Sequence, residues 1–111
     1  MDFSIPESIQ QTLRDLDAFI EREIKPLQAQ DDNERFFDHR REWARTDYDN
    51  DGVPRADWEE LLREMRRRAD AAGWLRLALP PEFGGRSASN LEMAIIREHL
   101  ATKGLGLFND L

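Results

Sequence analysis

The residues that come closest to a known chemical pattern form the acidic stretch at positions 47–52, Asp-Tyr-Asp-Asn-Asp-Gly. Alternating carboxylates and a closing glycine match the first half of a calcium-binding loop, which also requires a bidentate glutamate at its twelfth position. That position is Trp58, and Glu59 and Glu60 follow one and two residues too late, at about 100° of helical rotation per residue. We therefore interpret the stretch as a solvated acidic turn, with a weak, adventitious cation site as the alternative.

Other side chains that could take part in binding or catalysis are the basic run at positions 66–68 and the two histidines, His39 and His99. The three arginines lie among acidic residues on a predicted helix and point to different sides of it. They indicate a solvated helical face rather than a phosphate or nucleic-acid patch. Neither histidine has a second histidine or a cysteine at metal-ligand spacing, and glycine-rich phosphate loops and nucleophile elbows are missing from the sequence. The residues alone therefore predict no catalytic, cofactor or metal site.

The composition predicts one soluble domain. The chain has 111 residues, 40% of them hydrophobic and 35% charged, with a formal net charge of −7 and no cysteine. Such a charge disfavours nucleic acid and anionic membrane surfaces as partners. No apolar run approaches the roughly 20 residues that cross a bilayer, and the first residues lack the basic and apolar segments of a signal peptide. We therefore expect a cytoplasmic protein without a membrane partner.

Apolar periodicity predicts a first helix near the start of the chain. Its apolar residues recur at steps of three and four and share one stripe: Ile5, Ile9, Leu13, Leu16, Ile20, Ile24 and Leu27. Ser4 and Glu7 have the spacing of a capping box at the start of this helix. Pro26 is expected to end or kink it, because the residue before a proline is pushed away from helical geometry. Glu21 and Lys25 are predicted to form an exposed ion pair.

The segment at positions 31–52 is crowded with charge, yet it carries the aromatic residues Phe36, Phe37, Trp43 and Tyr48. A short helix over residues 33–44 would place Phe36 and Trp43 on one side. The segment either covers a hydrophobic seam or is an insertion.

A further helix is predicted over residues 54–72, with Gly73 as the residue that ends it. Its buried stripe is expected to be Trp58, Leu61, Leu62, Met65, Ala69 and Ala72. Two outward ion pairs are expected at a spacing of four residues, Glu59 with Arg63 and Glu64 with Arg68. Residues 74–79 then read as a buried extended connector into a loop with two prolines and two glycines.

The last predicted helix covers residues 90–102, and Ser89 with Glu92 has the spacing of a capping box before it. One apolar arc of this helix consists of Leu91, Ala94, Ile95 and Ala101. A second arc, on nearly the opposite side, consists of Met93, Ile96 and Leu100. A helix with two apolar faces is normally packed between two layers, so we expect the second layer to come from chain outside this sequence.

Three motifs, taken in order, resemble the N-terminal helical domain of the acyl-CoA dehydrogenase family. The first is Asp2-Phe3-Ser4 before a helix that ends in Glu23-Ile24-Lys25-Pro26-Leu27. The second is Ala71-Ala72-Gly73-Trp74 followed by the loop Leu79-Pro80-Pro81-Glu82-Phe83-Gly84-Gly85. The third is Arg97-Glu98-His99-Leu100-Ala101 on the last helix. Their order and spacing cover nearly the whole chain, and the departure is the long charged segment.

The resemblance implies an all-α fold, a small helical bundle with a charged, aromatic-containing insertion. It also implies that residues 1–111 are one α-helical domain, a truncated N-terminal part of a three-domain enzyme. The missing partners would be a middle β domain and a C-terminal α domain, usually in a homo-oligomer. Those parts would hold most of the FAD and supply the glutamate that removes the α proton of the acyl-CoA substrate. This chain would be inactive alone, with neither catalytic nor cofactor-binding residues.

In that family plan, residues 104–109 correspond to the stretch that begins to line the acyl pocket. Phe108 and Asn109 are therefore the predicted substrate-pocket residues, and the alternative is that Phe108 belongs to the core. The true substrate stays open, since members of the family also act on nitroalkanes and other compounds.

Two other functions remain open from the sequence. A free-standing helical module could use the second apolar face to bind a partner protein. A calcium-responsive helical domain could use Asp47, Asp49 and Asp51. An uncovered apolar face would favour association, so we expect dimers or larger species of the isolated chain.

Overall fold

The structure is a computed structural model that describes residues 4–38 and 44–111. It contains four α-helices: α1 (Glu7–Phe19), α2 (Lys25–Ala29), α3 (Ala56–Ala71) and α4 (Asn90–Thr102). One π-helical turn (Ile20–Ile24) joins α1 to α2, and 3₁₀ turns cover Gln30–Phe37, Tyr48–Asn50, Pro81–Phe83 and Leu107–Asp110. Two-residue strands β1 (Thr46–Asp47) and β2 (Val53–Pro54) pair antiparallel. The all-α fold class is confirmed. His39, Trp43 and the predicted start at Asp2-Phe3 lie outside the described residues.

The first helix is longer than the sequence predicts. The backbone stays helical from α1 through the π-helical turn into α2, and it leaves helical geometry only at Gln30. Pro26 therefore does not end the helix. It follows the wider π-helical turn, a change of pitch that accommodates a residue without an N–H group. The Glu21–Lys25 ion pair is present at 2.5 Å.

The capping box predicted for Ser4 and Glu7 is wrong. Pro6, not Ser4, occupies the cap position, with an extended ψ of 145° and no side-chain cap hydrogen bond of its own. The helix starts at Glu7, and the Glu7 carboxylate instead pairs with Arg14 at 2.8 Å. Proline fixes the helix entry through its ring, so a side-chain cap is not needed to set the boundary.

One hydrophobic core joins the first helix, α3, α4 and the C-terminal residues. Its buried members include Leu16, Phe19, Ile20, Ile24, Leu61, Met65, Ala69, Ile96, Leu100, Leu107, Phe108 and Leu111. Burying each large aliphatic side chain of this set stabilises the fold by about 1.5–3 kcal/mol. The predicted stripe of the first helix is confirmed from Ile9 to Leu27, while Ile5 remains largely exposed.

The helix predicted over residues 33–44 is interrupted within the described residues, because Asp38 has an extended backbone; residues 39–43 lie outside them. A 3₁₀ turn ends at Phe37, and Asp31 and Asp32 have positive φ values of 48° and 57°. Aspartate tolerates this left-handed conformation better than most residues, because its short side chain can hydrogen-bond locally. Phe36 is buried and its ring lies 5.1 Å from the ring of Trp58. The segment therefore covers the hydrophobic seam beside the start of α3.

The helix predicted over residues 54–72 is confirmed with a later start, because Pro54 pairs with Thr46 in the two-stranded ladder. Gly73 ends the helix with a φ of 88°. Glu64 pairs with Arg68 at 2.9 Å as predicted, whereas Arg63 pairs with Glu60 rather than Glu59.

Residues 74–79 do not form a buried extended connector. They make successive turns, in which Leu77 is buried while Leu75 and Leu79 are exposed. The chain then folds back on itself, and the Leu77 carbonyl accepts hydrogen bonds from the backbone N–H groups of Arg86 and Ala88. This return places residues 86–88, which directly precede the cap of α4, beside Leu77.

The two glycines of this loop have different roles. Gly84 has a φ of 86°, a conformation that glycine adopts without steric cost. Gly85 lies so close to the backbone that a Cβ atom there would overlap the carbonyl oxygens of Arg76 and Leu79. The loop can therefore close only with glycine at position 85.

We expect Gly85→Ala to lower the free energy of unfolding by about 2 kcal/mol, because backbone atoms must move to admit the methyl group. Urea unfolding followed by circular dichroism measures this. Gly73→Ala is the matched control: its Cβ would meet no atom within 4 Å, so only the positive φ should cost stability, about 1 kcal/mol. Equal losses for the two variants would contradict the close-approach argument.

Candidate functional site

The predicted pocket segment, residues 104–109, lies where the helices meet. Gly104 turns the chain back after α4 with a φ of 85°. The following 3₁₀ turn contacts α2, α3, α4 and the π-helical turn. The Leu107 N–H donates to the Gln28 side-chain oxygen at 2.8 Å, which fixes the segment to the end of the first helix. The sequence does not reveal this role of Gln28, because glutamine is common at helix ends that make no such contact.

Phe108 and Asn109 occupy different environments in this segment. Phe108 is 5% exposed and belongs to the core. Asn109 is exposed, yet its side chain accepts from the Gly106 N–H at 2.8 Å and donates to the Gly104 carbonyl at 3.0 Å. Asn109 thus holds the turn, Phe108 anchors it from inside, and Leu105 projects outward at 63% exposure. Their role as substrate-pocket residues stays a prediction.

The two apolar arcs of α4 have opposite surroundings, as predicted. Ile96 and Leu100 are buried in the core, and Met93 packs against it. The outer face of α4, which we define as Leu91, Ala94, Ile95 and Ala101, is not covered by the described residues in the same way. Leu91 is 61% exposed, Ala94 and Ala101 are exposed, and Ile95 is half-buried. This face is available for contact with further protein.

A polar cluster of Thr12, Arg86 and Glu92 fixes α4 against α1. The Ser89 side chain caps α4 by accepting from the Glu92 N–H at 3.1 Å, as predicted. The Glu92 carboxylate does not complete a capping box; it accepts from the buried Thr12 hydroxyl at 3.2 Å and from Arg86 at 3.1 Å. Thr12 and Arg86 were not singled out from the sequence, because Thr12 lies 80 residues from Glu92 and 74 residues from Arg86 in the chain.

A second polar cluster joins α1 to the end of α4. His99 and Lys103 both contact the Asp17 carboxylate at 2.8 Å. Burial raises the pKa of Asp17, but hydrogen bonds from Lys103 and His99 outweigh that effect, so its pKa lies below the ordinary value. His99 is thus a boundary histidine with a structural partner.

An open groove lies between the first helix and the end of α3. It comprises a hollow of about 530 Å³ and a neighbouring one of about 400 Å³, which share Phe19, Arg22 and Ala72. The rings of Phe19 and Trp74 lie 6.1 Å apart in it. Arg22 and Arg86 line the same hollow as Trp74. The sequence pattern did not reveal this groove, because Trp74 reads as a core residue.

The acidic stretch and the arginine run, which the sequence analysis considered as binding sites, make contacts that stabilise the fold. The acidic stretch at positions 47–52 is a tight turn, closed by a hydrogen bond of 2.9 Å from the Gly52 N–H to the Asp47 carbonyl. Across residues 4–38 and 44–111, no group of three or more histidine, aspartate or glutamate side chains is placed to hold a metal ion.

Arg67 and Arg68 donate to Glu64 and lower the pKa of Glu64 to about 2. In the part of the chain that the structure describes, no helix is long and apolar enough to cross a membrane.

Every buried side-chain nitrogen and oxygen atom of the described residues has a hydrogen-bond partner within the protein. The interior of this part of the chain therefore leaves no polar side-chain atom open to a flavin.

The family model described as acyl-CoA dehydrogenase, N-terminal domain, matches residues 30–109. The match runs from the end of α2 to the pocket segment, and it includes the glycine loop and α4. No curated protein and no solved structure matches the chain at a significant level.

We expect the Asp17 cluster to make stability depend on pH. Because the pKa of Asp17 is depressed in the folded state, its contribution is complete above the unfolded value of about 4 and is lost as the pH falls through the lower folded value. Asp17→Asn should therefore cost about 0.5–1 kcal/mol near pH 6, a value limited by solvent screening of this partly exposed group. That difference should shrink near pH 3. Urea unfolding at both pH values measures it.

Asp15→Asn is the control for this prediction, since Asp15 is an exposed carboxylate on the same helix. A difference between wild type and Asp17→Asn that stays constant between the two pH values would show that the Asp17 carboxylate is not stabilised by its partners.

Proposed function

The chain belongs to the acyl-CoA dehydrogenase N-terminal domain family, and we propose that it is the helical domain of an FAD-dependent enzyme that dehydrogenates an acyl-CoA thioester. The observation that carries this proposal is the family match over residues 30–109. Within this proposal, the chain supplies shape and contact surface rather than reacting groups, and it is inactive alone.

We further propose that residues 1–111 act as one domain beside a middle β domain and a C-terminal α domain of the same protein. FAD and the catalytic glutamate would then belong mainly to those parts. The uncovered outer face of α4 supports this arrangement, because exposed leucine and alanine residues on an ordered helix are suited to packing against another layer. A homo-oligomer is part of the same proposal.

The contribution to the substrate site would be one wall of the acyl pocket, formed by residues 104–109. The anchored conformation of this segment supports that role. Gln28 holds its backbone, Asn109 closes its turn and Phe108 fills the core beneath it. A wall held from three sides keeps a fixed shape, and a fixed apolar wall selects acyl chains by length and branching.

A free-standing interaction module is the competing function, because the outer face of α4 would serve a separate partner equally well. The coding frame separates the two functions. Continuation past Leu111 into a β-rich segment and a helical bundle favours the enzyme, whereas a natural stop codon favours the module.

The enzymatic proposal is tested with the complete gene product that contains this chain. We expect the purified protein to carry FAD and its flavin absorbance to bleach when a fatty acyl-CoA is added without an electron acceptor. A product without flavin, or flavin that a series of acyl-CoA thioesters of different chain length leaves oxidised, would contradict it.

If residues 104–109 form the pocket wall, Phe108→Leu should change KM among acyl-CoA substrates of different chain length several-fold while the flavin content stays the same. The smaller side chain lets the wall move by the volume of the missing ring atoms. Steady-state kinetics with three chain lengths measures this. Phe83→Leu is the control, since Phe83 is an exposed phenylalanine of the glycine loop. Parallel changes in both variants would argue against the pocket assignment.

The proposed contact through α4 predicts that Leu91→Asp weakens docking to the rest of the protein. A charge placed in a packed apolar contact is desolvated, so we expect lower flavin retention and earlier thermal release of FAD. Fluorescence of released flavin during heating measures this. Asn90→Asp adds the same charge at an exposed polar position of the same helix and should leave the release temperature unchanged.

A further inference from the structure

The first helix contains a wide turn between α1 and α2, and this turn determines how its later residues are oriented. In the π-helical turn Ile20–Ile24, the Lys25 N–H donates to the Ile20 carbonyl, five residues earlier in the chain. A regular α-helix would pair residues four apart, so the π-helical turn holds one residue more than an α-helical turn. Turns of this kind are frequent at functional sites.

A side chain of α3 donates to the backbone of this turn. Pro26 has no N–H group, so a carbonyl in the preceding turn loses its regular partner. The Glu23 carbonyl, which lies in the π-helical turn, accepts a hydrogen bond of 2.9 Å from Nη1 of Arg68. Arg68 thus supplies a donor to a part of the helix that is short of backbone donors.

Arg68 is itself held in one orientation. Its side chain is 24% exposed, and its Nε donates to the Glu64 carboxylate at 2.9 Å. Glu64 stays ionised at neutral pH, because Arg67 and Arg68 lower its pKa to about 2. The planar guanidinium can bind a carboxylate through one nitrogen and a carbonyl through another. Arg68 therefore joins α3 to the π-helical turn in a fixed geometry.

Gln28 follows the π-helical turn and contacts the pocket segment, residues 104–109. Its side-chain oxygen accepts the Leu107 N–H at 2.8 Å. The fit at this contact is close, since a Cβ atom at Gly106 would lie 3.0 Å from that oxygen and 2.5 Å from a ring carbon of Phe108. A displacement of Gln28 would therefore be transmitted to the backbone of the pocket segment.

The orientation of Gln28 depends on the wide turn. If residues 20–24 adopted regular α-helical spacing, every later residue of the helix would rotate by about 100° around its axis relative to α1. Gln28 would then turn away from Leu107. Leu107 is fully buried, so its N–H group would lose its acceptor without gaining water in exchange.

We propose that Arg68 and Gln28 are positioning residues for the pocket segment. Arg68 keeps the π-helical turn wide, and the wide turn aims Gln28 at the Leu107 N–H. Both residues act through the backbone of residues 106–107 and not by contact with a substrate. The identity of this segment as the wall of an acyl pocket rests on the proposed function, whereas the link from Arg68 to Leu107 rests on the contacts above.

Backbone hydrogen exchange tests the link in the complete gene product that contains this chain. Gln28→Met removes the acceptor at nearly constant side-chain length, so the Leu107 N–H should exchange about tenfold faster. Arg68→Met removes the donor to the π-helical turn and should accelerate the same exchange about fivefold. Mass spectrometry of peptides that cover residues 104–111 measures both effects, and circular dichroism verifies that the variants fold.

Two controls separate this link from a general loss of charge pairs. Arg67→Met removes the other arginine that donates to Glu64, and the Arg67 side chain is 67% exposed. Glu23→Gln removes the carboxylate that lies 3.8 Å from Arg68 but keeps the backbone carbonyl. Both controls should leave the exchange of residues 104–111 at the wild-type rate.

The double variant shows whether the two residues act along one path. Once Gln28→Met has removed the acceptor of the Leu107 N–H, the orientation of the helix no longer matters for that contact. Arg68→Met combined with Gln28→Met should therefore exchange no faster at residues 104–111 than Gln28→Met alone. Two independent effects would multiply instead.

A kinetic measurement extends the test to the proposed function. If the pocket segment is the acyl wall, Arg68→Met and Gln28→Met should change KM among acyl-CoA substrates of different chain length several-fold. The effect on kcat should be smaller, because a wall binds the acyl chain in the ground state and the transition state alike. Arg68→Lys keeps the charge but loses the planar fork, so its KM values should lie between wild type and Arg68→Met.

Two results would overturn the positioning link. The first is exchange at residues 104–111 that stays at the wild-type rate in Gln28→Met or in Arg68→Met. The second is a double variant in which the two effects multiply. If the exchange results are as expected and KM stays the same for all chain lengths, the link stands and the pocket assignment of the proposed function fails.

Discussion

The packing of α4 against the first helix is the interaction on which the rest of the structure depends. Ile96 and Leu100 lie in the same core as Leu16, and this contact alone would leave α4 free to slide or rotate. The Thr12–Arg86–Glu92 cluster and the Asp17 cluster fix it near both of its ends. With the inward side of α4 determined in this way, its other apolar arc has to face outward, and the domain acquires a surface for further protein.

The two loops that flank α4 also hold its position, each through close contacts and hydrogen bonds. Before the helix, Gly85 lets the chain pass close to the carbonyls of Arg76 and Leu79, and this close approach positions the Ser89 cap. After the helix, Gln28 and Asn109 hold the segment that packs against α2, α3 and α4. In both loops, backbone polar groups that a flexible connector would leave to water are hydrogen-bonded within the protein.

Periodic patterns predicted the helices well because burial repeats along a helix face. The stripe of the first helix, the bounds of α4 and the opposite surroundings of its two arcs all follow from such repeats. The predictions that failed rest on residues close in sequence, at positions where contacts with distant residues or special backbone conformations determine the structure. Glu92 has the spacing of a capping-box residue, yet its carboxylate accepts a hydrogen bond from the buried Thr12 hydroxyl on α1. Similarly, Asp31 and Asp32 adopt left-handed conformations that no periodicity encodes, and these turn the charged segment onto Trp58 instead of extending it as a helix.

Polar groups are arranged differently inside the domain and on its surface. Every buried side-chain nitrogen and oxygen atom of the described residues has a hydrogen-bond partner within the protein. Its outward groups are arranged differently: leucine and alanine on α4, and arginine beside aromatic rings between the first helix and α3. These two surfaces share no residue. Covering either surface with further protein would therefore not require the core to rearrange.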